Sequence, residues 1–286
     1  MRISRVGIVA NIRKTEIGAI VSRVLDLLPG GIDVVGTADT ASVAARGAVR
    51  AVESFNDCDI VLALGGDGTL LMAARFVEHD EIPLLGIKIR SLGFLTEDDV
   101  DHTIRDLLDG RFVIQERTRL QVTLESQGTA TAKYTALNDA VIHGIGVSRV
   151  IHLRTVIDGA LLGEYLSDGV IVATPTGSTA YSLAAGGPIV NPTRVCVFVI
   201  TPLCPHSLSV RPIVVSCDET FTVELVEHDH EAMLTIDGQQ SSSIKDGERI
   251  VFCKSPTVTR LVVTEGYNFY DIVRQKLKWG GVLRRH

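Results

Sequence analysis

The hydrophobic period of this chain changes once, near residue 110, and that change constrains its fold more than any other feature. Before it, short apolar runs alternate with segments of helical spacing. The strands are expected at Ser4–Ala10, Asp33–Gly36, Asp59–Leu64 and Pro83–Lys88, and the helices at Thr15–Leu28, Thr40–Glu53, Leu70–Glu78 and Asp98–Asp109. Such alternation predicts an α/β domain, a parallel sheet with helices on its faces. After it come segments typical of antiparallel β structure: Arg119–Ser126, Ala130–Leu137, Asp139–His143, His152–Ile157, Val195–Ile200, Thr220–Val226, Ala232–Ile236, Arg249–Lys254 and Arg260–Thr264. Turn chemistry at Ile157-Asp158-Gly159 and Lys245-Asp246-Gly247 separates several of them. A final helical pattern, Phe269–Lys278, has Gly280 as a stop signal, and such a helix needs a host, for which the first domain is the candidate. The expected domains are therefore 1–110 with 266–286, and a β-rich, sandwich-like 111–265.

Composition excludes several classes. With 286 residues, 45% of them hydrophobic and a formal net charge of −6, the chain is too acidic for a generic nucleic-acid binder, and no basic block interleaved with aromatics offsets this. A mean hydropathy of +0.26 fits strands buried on both faces. The apolar runs at Val195–Leu203 and Val170–Thr174 are far shorter than the ~20 residues of a membrane span, and Ile3–Ala10 has no leader-like pattern. Cys58, Cys196, Cys204, Cys217 and Cys253 show neither CxxC pairing nor metal-ligand cadence, so they read as free thiols of a cytoplasmic protein.

Two small, hydroxyl-rich turns carry the chemistry. The first, Gly65-Gly66-Asp67-Gly68-Thr69, joins a buried strand to a helix, where bare backbone N–H groups let phosphate approach closely. It lacks the Gly-Lys-Ser/Thr ending of a Walker loop. A tight corner accounts for the glycines but not for Asp67, whose carboxylate has little nearby bulk to shield it and suits work on a proton or a metal. The second turn follows Asp168-Gly169 and the buried run Val170–Ala173. It reads Thr174-Pro175-Thr176-Gly177-Ser178-Thr179, then a helix over Ala180–Ala185 ending at Gly186-Gly187-Pro188. Four hydroxyls in six residues exceed what one helix cap needs, so the surplus points to a polyhydroxyl or phosphorylated ligand at the helix N-terminus.

Together and in this order, these turns resemble the NAD kinase family. Asn138-Asp139 matches its Asn-acid pair, and Asp168 through Ser182, continuing to Ile189, matches its long signature. Leu92-Gly93-Phe94-Leu95, Cys204-Pro205-His206-Ser207-Leu208-Ser209 with Arg211-Pro212, and Asp237-Gly238-Gln239 match as well. The resemblance implies transfer of the ATP γ-phosphoryl group to the 2′-hydroxyl of the adenosine ribose of NAD, with Asp67 as general base. It also implies a site in the cleft between the domains, a homodimer or homotetramer, and Mg²⁺ (or another divalent cation) bridging the ATP phosphates rather than held by protein alone. Dinucleotide binding is expected from Asp67, Gly68, Asn138, Asp139, Arg149, Asp168, Thr179, Ala180, Tyr181, Ser182, Leu183, Ala184 and Gln239, and phosphate binding from Gly65, Gly66, Gly68 and Thr69. Asn138 suits adenine edges, while Asp139 and Asp168 suit ribose hydroxyls or the carboxamide.

Lys88 and Arg90 depart from the family pattern, which has an Asn and a Gly there; they are either a nucleotide clamp or solvated edge residues. Leu166 stands where some relatives have Arg, and Arg149 where relatives often have His. A lipid kinase of the diacylglycerol or sphingosine type shares the first turn but not Leu70-Leu71-Met72 after it; a non-catalytic dinucleotide sensor is the third reading. Outside the turns, His228-Asp229-His230-Glu231 reads as a solvated turn rather than a metal site, His206 as a buried hydrogen-bonding or a catalytic residue, and Trp279 as packing rather than ligand stacking.

Overall fold

A computed structural model describes residues 3–77, 81–89, 93–97, 99–146, 150–226, 231–245 and 247–279. The chain divides into two compact units, Met1–Glu116 with Thr259–His286, and Arg117–Val258.

In the first unit, β1 (Arg5–Ala10), β2 (Asp33–Gly36), β3 (Arg50–Ala51), β4 (Ile60–Gly65) and β5 (Leu84–Lys88) pair in parallel in the order β5-β4-β1-β2-β3. Every residue of β4 is buried, as its unbroken apolar run requires of a strand covered on both faces. The helices α1 (Ile17–Leu27), α2 (Ala38–Val43), α3 (Asp67–Phe76) and α4 (Val100–Asp109) connect these strands and follow them. Val6, Ile8, Leu62 and Leu64 of the sheet share one core with Ile17, Val21 and Val24 of α1 and Ile104 and Leu107 of α4. Each such side chain contributes about 1.5–3 kcal/mol of burial.

The change of period near residue 110 has a local cause. Asp99 caps α4 by accepting the His102 N–H at 3.1 Å, and Gly110, at φ +76°, turns the chain out of the helix. The helix expected over Thr40–Glu53 is a correction. It stops at Val43, Gly47 adopts φ +79°, and Arg50–Ala51 become a strand beside β2. Ala44, in extended backbone, ends the helical run, and the left-handed Gly47 then turns the chain toward β3.

The second unit is antiparallel. It holds most of β6 (Phe112–Ser126), then β7 (Thr129–Ala136), β8 (Asp139–Gly144), β9 (Ile151–Ile157), β10 (Ala160–Ser167), β11 (Gly169–Ala173) and the four-residue helix α5 (Tyr181–Ala184). It continues with β12 (Val197–Leu203), β13 (Ile213–Ser216), β14 (Phe221–Leu225), β15 (Ala232–Ile236), β16 (Gln240–Ile244) and the first part of β17 (Glu248–Thr264). One sheet runs β13-β12-β11-β8-β15-β16, and a second set runs β10-β9-β14-β17. Leu120, Ile142, Val170, Phe198, Phe221, Leu234 and Phe252 belong to one core. Asp158 and Gly159, at φ +45° and +81°, form the tight β9–β10 hairpin that the Asp-Gly pair predicts.

The strands β10, β13 and β16 go beyond the expected set, and β17 is continuous where two segments are expected. Pro256 keeps an extended φ, and the Ser255 hydroxyl accepts the Thr257 N–H at 3.2 Å, so the strand passes through. Residues from Thr259 onward, including α6 (Phe269–Leu277), belong to the first unit, where Leu261 pairs with Leu84 and Lys276 lies over the Phe94 ring.

Three further expectations are corrected. Cys196 and Cys217 are disulfide-bonded rather than free, because the β12–β13 register sets Val197 opposite Ser216 and so brings the two flanking cysteines to a Cα separation of 5.5 Å. Trp279 is 67% exposed rather than packed, since it follows Lys278, where the chain leaves α6 at φ +51°. His206 is exposed, and its backbone N–H bonds to Leu166 O. Arg90, Leu92, Arg149, His228, Asp229, His230 and Gly280 lie outside the described residues. Among those described, no helix is long and apolar enough to cross a membrane, and no group of three or more His, Cys, Asp or Glu could hold a metal ion.

Candidate active site

The first turn leaves β4 at Gly65, passes Gly66 in extended backbone, and enters α3 at Asp67, three residues earlier than the apolar spacing suggests. Gly65 is required by closeness: a Cβ there would lie 2.1 Å from Thr69 Oγ1. Gly68 is different. It is exposed, and a Cβ would meet nothing in the protein within 4 Å.

Asp67 is not an open carboxylate, and this corrects the expectation drawn from its glycine neighbours. Oδ2 accepts the Phe94 N–H at 2.6 Å, while Oδ1 accepts the Leu95 N–H at 3.1 Å and the Thr96 hydroxyl at 3.3 Å. A carboxylate offers about four lone-pair sites, and these three donors occupy three of them. The loop can come this close because Gly93 has no side chain; a Cβ there would sit 2.2 Å from Asp67 Oδ1.

Two ammonium groups share this region. Burial holds Lys88, at the end of β5, below the usual lysine range against the attraction of Asp67 and Glu97. Lys276 of α6 is pushed down to about 8, by burial first and by Lys88 next, with Asp67 opposing. Lys88 is therefore partly buried beside Asp67 rather than a solvated edge residue.

In the second unit the Asn138-Asp139 pair opens β8 and is clamped from two sides. Asp237, at φ +50° in the β15–β16 turn, accepts the backbone N–H groups of Leu137, Asn138 and Asp139 at 2.9, 2.7 and 3.1 Å. From the other side, Thr174 donates its N–H to Asn138 O at 2.8 Å and its hydroxyl to Leu137 O at 2.6 Å. Gly177 packs so tightly that a Cβ would fall 2.0 Å from Asn138 O.

The hydroxyl surplus has a mostly structural use. Thr174 Oγ1 accepts the Gly177 N–H, Ser178 Oγ donates to Pro175 O and accepts the Val190 N–H, and Thr179 Oγ1 donates to Thr176 O. The turn is a 3₁₀ segment, Gly177–Thr179, and α5 has only four residues, too short for the dipole argument to carry weight. Of the buried side-chain atoms without a hydrogen-bond partner among the described residues, two belong to this region: Thr176 Oγ1 and Asn138 Oδ1.

A cavity of about 750 Å³ opens in this unit. Of the expected residues it is lined by Asn138, Asp139, Asp168, Ala180 and Tyr181; Asp237, His143, Thr235 and Cys204 line it as well. Thr179, Leu183, Ala184 and Gln239 are not in its wall, and Ser182 is buried with its hydroxyl 2.8 Å from that of Thr201. Burial, with Asp237 next, pushes the Asp139 carboxyl up to about 7. Asp237 is also raised by burial, against the pull of its three N–H donors and Arg119.

Asp237, matched as part of a family motif, and Lys276 are residues to which sequence reasoning assigns no role in the site. The Asp237-Gly238 turn signal marks the first; Lys276 falls among the helical positions of α6 and carries no local signal.

Comparison with known proteins agrees with this two-part layout. Residues 6–112 match the family model described as ATP-NAD kinase N-terminal domain, and residues 137–264 that described as ATP-NAD kinase C-terminal domain. An NAD kinase of Moorella thermoacetica is 41% identical over 283 residues, covering 97% of this chain and 90% of the relative. One from Geobacter sulfurreducens is 42% identical over 225 residues, 78% and 79% of the two chains. Among solved structures, yeast NADH kinase complexed with NADH superposes with a TM-score of 0.88 at 24% identity, covering 100% of this chain and 91% of that one. An Archaeoglobus fulgidus NAD kinase in complex with ATP gives 0.71 at 22%, covering 96% and 97%.

Proposed function

The chain belongs to the NAD kinase family and phosphorylates NAD, and from that premise we propose how its residues divide the work. The 2′-oxygen of the adenosine ribose of NAD attacks the γ-phosphorus of ATP. The new O2′–P bond forms as the bond from Pγ to the β,γ-bridging oxygen breaks; NADP and ADP leave, and the hydroxyl proton passes to the Asp67 carboxylate. A ribose hydroxyl is a weak nucleophile at neutral pH, so a positioned base contributes about 10²–10⁴ in rate.

The observation that carries this reading is the hold on Asp67. Three donors among the described residues fix the carboxylate's direction, and in this reading a further lone-pair site takes the incoming proton. Gly68 adds support, because packing within the protein gives no reason for its bareness, whereas close approach of a phosphate does.

Asn138, Asp139, Asp168, Ala180 and Tyr181 hold the dinucleotide in this reading, with the orphan Asn138 Oδ1 accepting from a ligand donor and Asp168 accepting from hydroxyl or amide. Gly68, Arg149, Thr179, Ser182, Leu183, Ala184 and Gln239 belong to the same proposal through the family motifs. ATP phosphates lie on the Gly65–Thr69 backbone. A divalent cation such as Mg²⁺ fits as one carried by ATP, since both oxygens of Asp67 are already engaged and Mg²⁺ prefers phosphate oxygens and water. When bound, it neutralises phosphate charge.

We also propose a cytoplasmic homodimer or homotetramer. The exposed Leu161, Leu162 and Leu166 on β10, at the end of its sheet, support a subunit contact.

The test is direct. Purified protein with NAD, ATP and Mg²⁺ is expected to yield NADP, read by an NADP-specific dehydrogenase. NAD binding without turnover, or phosphorylation of diacylglycerol instead, would overturn the proposal.

A further inference from the structure

The Gly65–Thr69 turn contains no cation, although a phosphoryl group in transfer spreads negative charge over its oxygens and needs positive partners. Lys276 is the unusual cation of this unit. Its Nζ is buried, lies 3.9 Å from the centroid of the Phe94 ring, and finds no hydrogen-bond partner among the described residues. An ammonium carries three donors and is strongly hydrated, so a ring face replaces only part of what burial removes. Phe94 also donates its backbone N–H to Asp67 at 2.6 Å, so a single residue ties the ammonium to the carboxylate. Leucine or methionine would fill this helix position without a desolvated charge. The retained charge calls for an anion, and the reaction supplies one.

We infer that Lys276 is a phosphate-binding residue of this kinase, donating hydrogen bonds from its ammonium to a terminal-phosphate oxygen of ATP beside Asp67. The inference rests on the NAD kinase reading and deepens it. Lys276 makes and breaks no covalent bond; it holds charge while the γ-phosphoryl group passes from ADP to the ribose oxygen.

Lys276→Met keeps length and removes charge. It is expected to raise KM for ATP, or lower kcat, by roughly tenfold or more, the loss of a charge-assisted hydrogen bond. KM for NAD stays within about twofold, and Lys276→Arg recovers most of the loss, since the guanidinium also pairs with phosphate. The Met variant melts no lower than wild type, because an unpaired buried charge has gone. ATP kinetics within about twofold of wild type, well under the effect of one charged hydrogen bond, would sink the inference. So would a loss that tracks melting temperature and is not recovered by Arg. A second measurement uses the unaltered protein: the NMR resonance of the Lys276 ammonium, in ¹⁵N-lysine-labelled protein, shifts when MgATP is added. An unchanged resonance overturns the assignment even where the Met variant does not fold. Wild-type protein that makes no NADP overturns the kinase reading itself, whereas active wild type with an indifferent Met variant overturns only the role of Lys276.

Discussion

The two polar turns use the same residue types for opposite purposes. Around Asp67, backbone N–H groups and a hydroxyl hold a side chain, and the held carboxylate is the group we propose as the base. Around Asn138, a carboxylate and a hydroxyl hold a backbone: Asp237 and Thr174 fix three successive residues, and Asn138 Oδ1 is left without a hydrogen-bond partner among the described residues. The first region gathers ammonium groups beside one acid, as phosphate chemistry demands. The second gathers buried acids, which suit the donors of a sugar or an amide. A motif rich in glycine and hydroxyls therefore says where a site is, but not which of its atoms are spent on architecture.

The largest effect expected from this contrast is catalytic. Asp67→Asn keeps the size of the side chain but replaces one accepting oxygen with an NH2 that neither accepts a donor nor takes a proton, so kcat should fall by about 10²-fold or more while NAD binding, measured by calorimetry, stays largely intact. Full activity in that variant would dissolve the distinction between the two regions.

The next prediction compares two glycines. Alanine at Gly177 drives a Cβ into the backbone oxygen of Asn138, which cannot step aside, so unfolding stability should drop by about 1–3 kcal/mol or more. Alanine at Gly93 drives a Cβ into Asp67 Oδ1 and Thr96 Oγ1, side-chain atoms that can rotate away. That variant should fold with a stability loss below about 1 kcal/mol, yet lose activity by as much as about 10²-fold because the base has moved. Denaturant titration alongside steady-state rates separates the two; equal profiles would erase the contrast.

The smallest effect is a pH dependence. Asp139 has its folded pKa raised to about 7, so the neutral form is favoured on folding. Its contribution is fully present below the unfolded carboxylate value near 4 and is lost as pH rises through about 7. Asp139→Asn, which cannot ionise, should therefore gain stability relative to wild type between about pH 4 and pH 7 and hold a constant difference above that. A difference flat across that range in thermal melts would show that Asp139 is not poised by its surroundings.

Much of this was legible in the sequence because it is local. The strand–helix alternation, the Asp158-Gly159 hairpin and both motif turns are written in neighbouring residues. What escaped depends on chain segments far apart. β10 exposes Leu161, Leu162 and Leu166, so it lacks the alternation that marks a half-buried strand. The Cys196–Cys217 bond follows from a register that spacing does not reveal. Thr174 and Ser178 looked free for a ligand because their backbone partners, Leu137 and Val190, lie elsewhere in the chain. Lys276 is silent for the same reason: its meaning comes from Phe94 and Asp67, some two hundred residues earlier.

The discontinuity of the first unit has a consequence for how the protein is made. A ribosome that has released β1 through α4 has not yet supplied Leu261 to β5 or Lys276 to the loop around Phe94. At ordinary synthesis speeds, residues 117–258 take on the order of ten to thirty seconds to emerge. Throughout that interval β5 has β4 on one side only, and the Asp67 turn lacks the ammonium of Lys276. The nascent chain carries Asp67 from the start but acquires the charge of Lys276 beside it only when α6 arrives.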